Sequence, residues 1–99
     1  MSTESLEFLR GIIEKIIDEQ LRDHELAMTH QLFESWKPII KNREDAVFNY
    51  IVGYVNRSAE MLFIAVLQRL ATQEEMSEVA KSVKNNRARI KSRITETMT

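Results

Sequence analysis

The sequence is poor in the residues that form tight turns, disulfides and metal sites. It contains no cysteine, one proline and two glycines among its 99 residues. Without cysteine the chain can form no disulfide, no thiolate ligand for a metal and no cysteine nucleophile, which fits a reducing compartment. With so little glycine and proline it lacks the tight turns that β-hairpins need. We therefore expect an all-α fold and a cytoplasmic location.

The length and composition predict one folded domain over residues 1–99. Hydrophobic residues make up 43% and charged residues 29% of the chain, which is ordinary for a globular protein. The first residues are polar and acidic, unlike a signal peptide. The most apolar stretch is interrupted by Asn56, Arg57, Ser58 and Glu60, so we expect no membrane span.

Apolar residues spaced three and four apart predict three long helices. They cover about residues 4–36, 43–71 and 73–97. Pro38 ends the first helix, because proline disfavours the helical conformation of the residue before it. The turns between the helices are short, which predicts an antiparallel helical bundle.

Two capping patterns mark the starts of the second and third helices. Asn42 stands three residues before Asp45, and Thr72 stands three residues before Glu75. A side chain of this kind accepts a hydrogen bond from a free N–H in the first turn, and a glutamate three residues on can reciprocate.

The central helix contains a run of seven consecutive apolar residues, from Met61 to Leu67. Such a run points in every direction and needs neighbours on every side, which two other helices cannot supply. Three helices of this length are also unusual for a lone chain of 99 residues. We therefore expect a homodimer. The candidate interface residues are Met61, Phe63, Ile64 and Leu67.

Polar residues interrupt the apolar stripe of each predicted helix, and folding the chain back at its turns brings the interruptions to one height. The candidate residues of this polar belt are Asp23, His24, Arg57, Glu60 and Arg87. Because Arg87 falls on the apolar side of its helix, it needs a carboxylate partner. The belt then either fixes the register of the helices or binds a small anion through Arg57 and Arg87. A third interpretation leaves these residues on the surface.

Charge is distributed unevenly along the chain. Residues 1–36 carry eight acidic residues and three basic ones, whereas residues 79–99 carry six basic residues and one acidic one. Either the two ends lie side by side and neutralise each other, or the basic segment binds nucleic-acid phosphates. The candidate nucleic-acid-binding residues are Lys81, Lys84, Arg89, Lys91 and Arg93.

The sequence shows no catalytic, metal or cofactor motif. It has no glycine-rich phosphate loop and no Glu-x-x-His pair, and its two histidines are six residues apart, which places them on different sides of a helix. The pattern favours a small non-enzymatic, regulatory protein that acts as a homodimer and binds another macromolecule, most simply a protein. The alternatives are nucleic-acid binding through residues 81–93 and a small helical-bundle enzyme with an anion site in the belt.

Overall fold

The computed structural model describes residues 3–98 and shows an all-α protein, which confirms the predicted fold class. Within that range the chain forms five helices and no strand. The helices are α1 (Thr3–Gln20), α2 (Asp23–Glu34), α3 (Arg43–Leu67), α4 (Gln73–Asn85) and α5 (Arg87–Glu96). The prediction of three long helices is not confirmed, because the first and the last of them are each divided in two.

The first predicted helix is divided at Leu21 and Arg22. Leu9, Ile13, Ile17 and Leu21 are each four residues apart, whereas Leu26 follows Leu21 by five. Five residues of continuous helix would turn Leu26 about 140° away from Leu21. Arg22 instead adopts an extended conformation, with φ −65° and ψ 146°. This interruption resets the helical phase, so that both leucines are buried.

The last predicted helix is divided at Asn86, whose side chain is buried. The amide Nδ2 of Asn86 donates to the carbonyl of Ser82 at 2.7 Å. The backbone N–H of Asn86 donates to Val83 at 3.0 Å, three residues back instead of the helical four. A side chain that competes for a helical carbonyl in this way interrupts the regular pattern of backbone bonds.

Both predicted capping patterns are confirmed. The Asn42 side chain accepts from the N–H of Asp45 at 3.0 Å at the start of α3. Thr72 and Glu75 form a reciprocal capping box at the start of α4. The end of α3 differs from the predicted residue 71, since Gln68 adopts the left-handed conformation with φ 53° and closes the helix.

Contacts between side chains define the topology. Arg10 pairs with Glu78, and Asp23 pairs with Arg93, so α1–α2 and α4–α5 run side by side in the same direction. The Phe33 ring meets the Tyr50 ring at 5.8 Å, whereas Phe8 lies near Val66, so α3 runs in the opposite direction. The helix α3 packs against each of the other four.

The core contains fourteen buried apolar residues from all five helices. They are Leu9, Ile13, Ile17, Leu21, Leu26, Val47, Ile51, Val55, Ala59, Phe63, Val79, Val83, Ile90 and Ile94. The contribution of α3 is one row of residues four apart, from Val47 to Phe63. In the apolar run at the end of α3, Leu62 is half-buried, and Met61, Ile64, Val66 and Leu67 are exposed.

The helix α3 is also long and apolar enough, by length and composition alone, to cross a membrane. Polar residues interrupt this segment, and on that ground no membrane span is expected from the sequence. Core helices of soluble proteins pass the same test when one face is apolar and packed. In α3 only 22% of the most apolar window is buried. The remaining apolar surface is the main feature to be explained, and the expected cytoplasmic location stays a prediction.

Candidate interaction surfaces

An exposed row of residues runs along α3 on the side away from the core. We call Tyr50, Tyr54, Arg57, Met61 and Ile64 the α3 stripe. Its members are alternately four and three residues apart, which is the spacing of a coiled-coil seam. The two tyrosines, Met61 and Ile64 are 39–46% exposed. A row of this spacing and apolar character is suited to packing against another helix.

The N-terminal half of the α3 stripe is aromatic and lies beside α2. The Tyr50 and Tyr54 rings are stacked with centroids 6.5 Å apart, and the Phe33 ring meets Tyr50 edge-on. Between α2 and these tyrosines lies a shallow cavity of about 480 Å³. Met28 and Leu32 line it and are exposed. They extend the apolar surface from α3 onto α2.

A charged pair occupies the middle of the α3 stripe. Arg57 Nη1 lies 3.3 Å from Glu60 Oε2, one turn further along the same helix. Both side chains are exposed, and an ion pair of this kind contributes little to the stability of a monomer. Because the pair lies at the centre of an apolar row, we expect it to affect the packing of another helix against the row more than the stability of the monomer.

The four residues predicted for the dimer interface have different environments. Met61 and Ile64 belong to the α3 stripe, and Leu67 is exposed at the end of α3. Phe63 is buried in the core at 7% exposure, which corrects its assignment to the dimer interface. The apolar run from Met61 to Leu67 thus has one side packed in the bundle and one side open, whereas the sequence alone predicted neighbours on every side.

The predicted polar belt does not form. Asp23 pairs with Arg93 and not with Arg87, while Arg57 pairs with Glu60 within α3. His24 and Arg87 are exposed. Arg87 begins α5 just after the irregular residue Asn86, which takes the buried position in its place. None of the five belt residues lines either of the cavities described in this section.

A different polar network joins α1 to the junction of α4 and α5. The Asn86 amide donates to Glu14 Oε1 at 2.6 Å. Arg89 donates to Asp18 Oδ1 at 2.6 Å and to Glu14 Oε2 at 3.2 Å, and its Nη2 also donates to Asn86 Oδ1. The acidic first helix and the basic last helix therefore lie side by side and neutralise each other here.

Arg93 makes the same kind of contact at the break between α1 and α2. It donates to Asp23 Oδ1 at 2.6 Å and to the carbonyl of Leu21 at 2.9 Å. The hydrogen bonds to Asp23 and Glu96 raise the pKa of the Arg93 guanidinium. Two of the five candidate nucleic-acid-binding residues, Arg89 and Arg93, are thus paired with carboxylates on other helices.

The other predicted basic residues remain on the surface. Lys81 lies 3.5 Å from Glu78, and Lys91 Nζ lies 5.1 Å from the centroid of the Phe48 ring. Lys84 and Arg87 have no carboxylate partner within residues 3–98. Arg87 and Lys91 are four residues apart on α5 and share a face of that helix, and Lys84 lies in the last turn of α4, just before the break at Asn86. This small basic face is what remains of the predicted phosphate-binding segment.

An apolar groove opens at one end of the bundle, between the start of α1, the end of α3 and the start of α4. Its volume is about 670 Å³. Its apolar walls are formed by Phe8, Leu9, Ile12, Leu62, Phe63, Val66 and Leu67. Sequence reasoning did not find this groove. The signal for it was Phe8. This residue is 72% exposed and directly precedes Leu9, where the buried row of α1 starts.

The polar rim of the groove includes a tightly bonded acid. Glu75 accepts from both Nη atoms of Arg69, at 2.7 and 2.9 Å, and from the backbone N–H of Thr72 at 2.8 Å. The bonds from Arg69, with those from Thr72, lower the pKa of Glu75 to about 2. The Arg69 guanidinium also lies 5.7 Å from the centroid of the Phe63 ring. This arrangement holds the turn between α3 and α4 against the groove floor.

The two histidines do not form a metal site. His24 is exposed, whereas His30 is buried with Nε2 3.0 Å from Thr97 Oγ1. Burial, followed by the positive charge of Arg43, lowers the pKa of His30. Within residues 3–98 there is no group of three His, Asp or Glu side chains placed to hold a metal ion.

Comparison of the chain with protein-family models, with curated proteins and with solved structures finds no match.

Proposed function

We propose that the protein is a non-enzymatic homodimer that binds another macromolecule, with the two copies joined through the α3 stripe. The observation that supports this proposal is the row from Tyr50 to Ile64, which has the spacing of a coiled-coil seam and is left open by the bundle. A second copy of the chain offers the same row, so one surface can bury itself against its own copy.

The charged pair in the stripe favours an antiparallel arrangement of the two copies. In a parallel pair, each Arg57 would face Arg57 of the second copy, and like charges facing each other are unfavourable. A two-fold axis at the height of Ala59 instead brings Arg57 next to Met61 and Glu60 of the second copy. The same axis brings Tyr54 against Ile64. Arg57 of each copy then lies near Glu60 of the other copy, and the apolar residues of the two stripes pack against each other.

Sedimentation equilibrium from about 1 to about 100 µM tests this proposal, since dimers of moderate affinity dissociate in that range. The wild-type chain should be dimeric at the upper end of the range. The double variant Met61→Glu, Ile64→Glu should be monomeric with an unchanged helical circular-dichroism spectrum, because both side chains are exposed. Ile39→Glu, which is exposed and outside the stripe, is the matched control and should remain dimeric. A wild-type monomer at the upper concentration, or a dimeric double variant, would overturn the proposal.

The second candidate function is nucleic-acid binding by the small basic face. The observation in its favour is that Lys84 and Arg87 have no carboxylate partner among residues 3–98, and that Arg87 shares a face of α5 with Lys91. Binding of labelled single-stranded and duplex probes should weaken steeply between about 50 and about 200 mM salt if several phosphates are contacted. Replacing all three residues by glutamine should abolish it. The same replacements at the exposed residues Lys15, Arg22 and Lys41 provide the control. No binding at the lower salt concentration would exclude this function.

A further inference from the structure

The shallow cavity between α2 and the α3 stripe is suited to an apolar side chain. Its volume is about 480 Å³, and Tyr50 and Tyr54 of the stripe line it from α3. Met28 and Leu32 line it from α2, where they lie one helical turn apart on the same face. The described lining includes one charged residue, Glu25. A site lined in this way accommodates an apolar group at little desolvation cost.

The exposed area of the α3 stripe is too small for a stable dimer without this neighbouring surface. At about 200 Å² for a fully exposed side chain, the four apolar members of the stripe expose roughly 350 Å². The Arg57–Glu60 pair adds roughly 200 Å². Specific interfaces bury about 800 Å² on each partner, within a range of about 600 to 1,000 Å². Met28 and Leu32 add roughly 200 Å² and bring the surface into that range.

The antiparallel arrangement of two copies places the end of the second α3 beside the cavity. Residues that are equally far from the two-fold axis at Ala59 face each other, so Tyr54 faces Ile64 of the second copy. By the same rule Tyr50 faces residue 68, where α3 ends. The helix α2 packs against the half of α3 that contains these tyrosines. The C-terminal half of the second α3 therefore passes beside the exposed face of α2.

From these observations we infer that the α2 face is the second half of the dimer interface and that each copy places Ile64 in the cavity of the other. This inference rests on the proposed function, because it specifies how the two copies contact each other. Ile64 packs between Tyr54 and Met28 of the opposite copy, and the two-fold axis produces this contact twice. The interface then consists of four helices, α2 and α3 from each copy.

Disulfide cross-linking tests the contact directly, since the chain contains no cysteine of its own. Mild oxidation of the double variant Met28→Cys, Ile64→Cys should give a disulfide-linked dimer on a non-reducing gel. The two cysteines cannot join within one chain, because Ile64 lies ten residues beyond Tyr54, or about 15 Å along α3, and a disulfide requires Cα atoms within about 7 Å. The matched control is Met28→Cys, Val66→Cys, which should give no linked dimer. Val66 is also exposed, but two residues beyond Ile64 it points to the other side of α3.

The strength of association tests the contribution of α2. Met28→Ala combined with Leu32→Ala should weaken the dimer at least about tenfold in sedimentation equilibrium, because apolar area is lost on both copies. The matched control is Phe8→Ala combined with Ile39→Ala, at exposed apolar positions outside the cavity and the stripe, and it should leave association unchanged. Both variants should keep the circular-dichroism spectrum of wild type, since all four side chains are exposed.

The results separate this inference from the proposed dimer. A wild-type dimer whose Met28→Cys, Ile64→Cys variant forms no linked dimer would overturn the α2 contact and leave the dimer standing. Equal cross-linking in the Val66→Cys control, or unchanged association of the Met28→Ala, Leu32→Ala variant, would do the same. A wild-type chain that is monomeric at about 100 µM would refute the dimer and, with it, the second copy as the occupant of the cavity.

Discussion

The side-chain amide of Asn86 donates a hydrogen bond to the carboxylate of Glu14, which lies 72 residues earlier in the chain, with 2.6 Å between Nδ2 and Oε1. The same amide nitrogen donates to Ser82, and Asn86 Oδ1 accepts from Arg89. One buried side chain thus interrupts the helix between α4 and α5 and joins this junction to α1.

Replacement of Asn86 by alanine should lower the free energy of unfolding by about 1 to 3 kcal/mol, because buried hydrogen bonds are lost and Glu14 loses a donor. Urea denaturation followed by circular dichroism measures the change. Asn85→Ala is the matched control, since Asn85 is exposed and ends α4, and it should change stability by less than about 0.5 kcal/mol. Equal effects of the two variants would contradict the role assigned to Asn86.

The antiparallel dimer predicts that the effects of Arg57 and Glu60 on association are coupled. Arg57→Glu alone should weaken the dimer, because it places acids against Glu60 of the second copy. Combining it with Glu60→Arg should restore association, because the exchanged charges again face opposite signs across the two-fold axis. Sedimentation equilibrium on the two single variants and the double variant measures the coupling. Additive losses without restoration would argue against this geometry.

Glu75→Gln should destabilise the fold by about 1 to 3 kcal/mol, since glutamine weakens the capping box and removes the charge-assisted bonds to Arg69. The control is Glu44→Gln in the first turn of α3, where the acid is exposed near the positive end of the helix dipole and the change should be a few tenths of a kcal/mol.

Glu75 also predicts an acid dependence of stability. Its pKa is lowered from 4.5 to about 2 in the folded state, so the folded state holds the ionised carboxylate at pH values where the unfolded chain is protonated. The stabilising contribution is complete above pH 4.5 and is lost as the pH falls toward 2. Glu75→Gln should lose stability less steeply than wild type over this interval.

His30 predicts a second pH dependence, at higher pH. Its pKa is lowered below 6.5 by burial and then by Arg43 of α3, with Glu44 acting in the opposite direction. As the pH falls, His30 is therefore protonated in the unfolded chain before it is protonated in the folded protein. The stability that the neutral His30 contributes is complete above pH 6.5 and declines below that value. Urea midpoints between about pH 8 and about pH 5 should fall for wild type and for the control His24→Gln, which is exposed, and should fall less for His30→Gln. Parallel curves for all three proteins would contradict the assignment.

Local features of the fold could be predicted from the sequence. The all-α class follows from helical spacing and the shortage of turn residues, and both capping patterns formed between residues three apart. The contact between the acidic first helix and the basic last helix was one of two interpretations of the charge pattern, and Arg89 and Arg93 make it. The fold class and the caps depend on residue type and short spacing, whereas the contact between the two ends of the chain depends on their opposite charges.

The positions of the candidate surfaces depended on the packing of the whole chain. The neighbours Asn86 and Arg87 exchange roles relative to the prediction, because a small interruption of the helix turns one inward and the other outward. Phe63 and Ile64 are likewise adjacent, yet one is core and the other belongs to the α3 stripe. Helical spacing determines which residues share a face, whereas the rotation of each helix against its neighbours determines which face is buried. That rotation is set by the sum of contacts among all five helices, and so the open stripe and the groove became visible only in the tertiary structure.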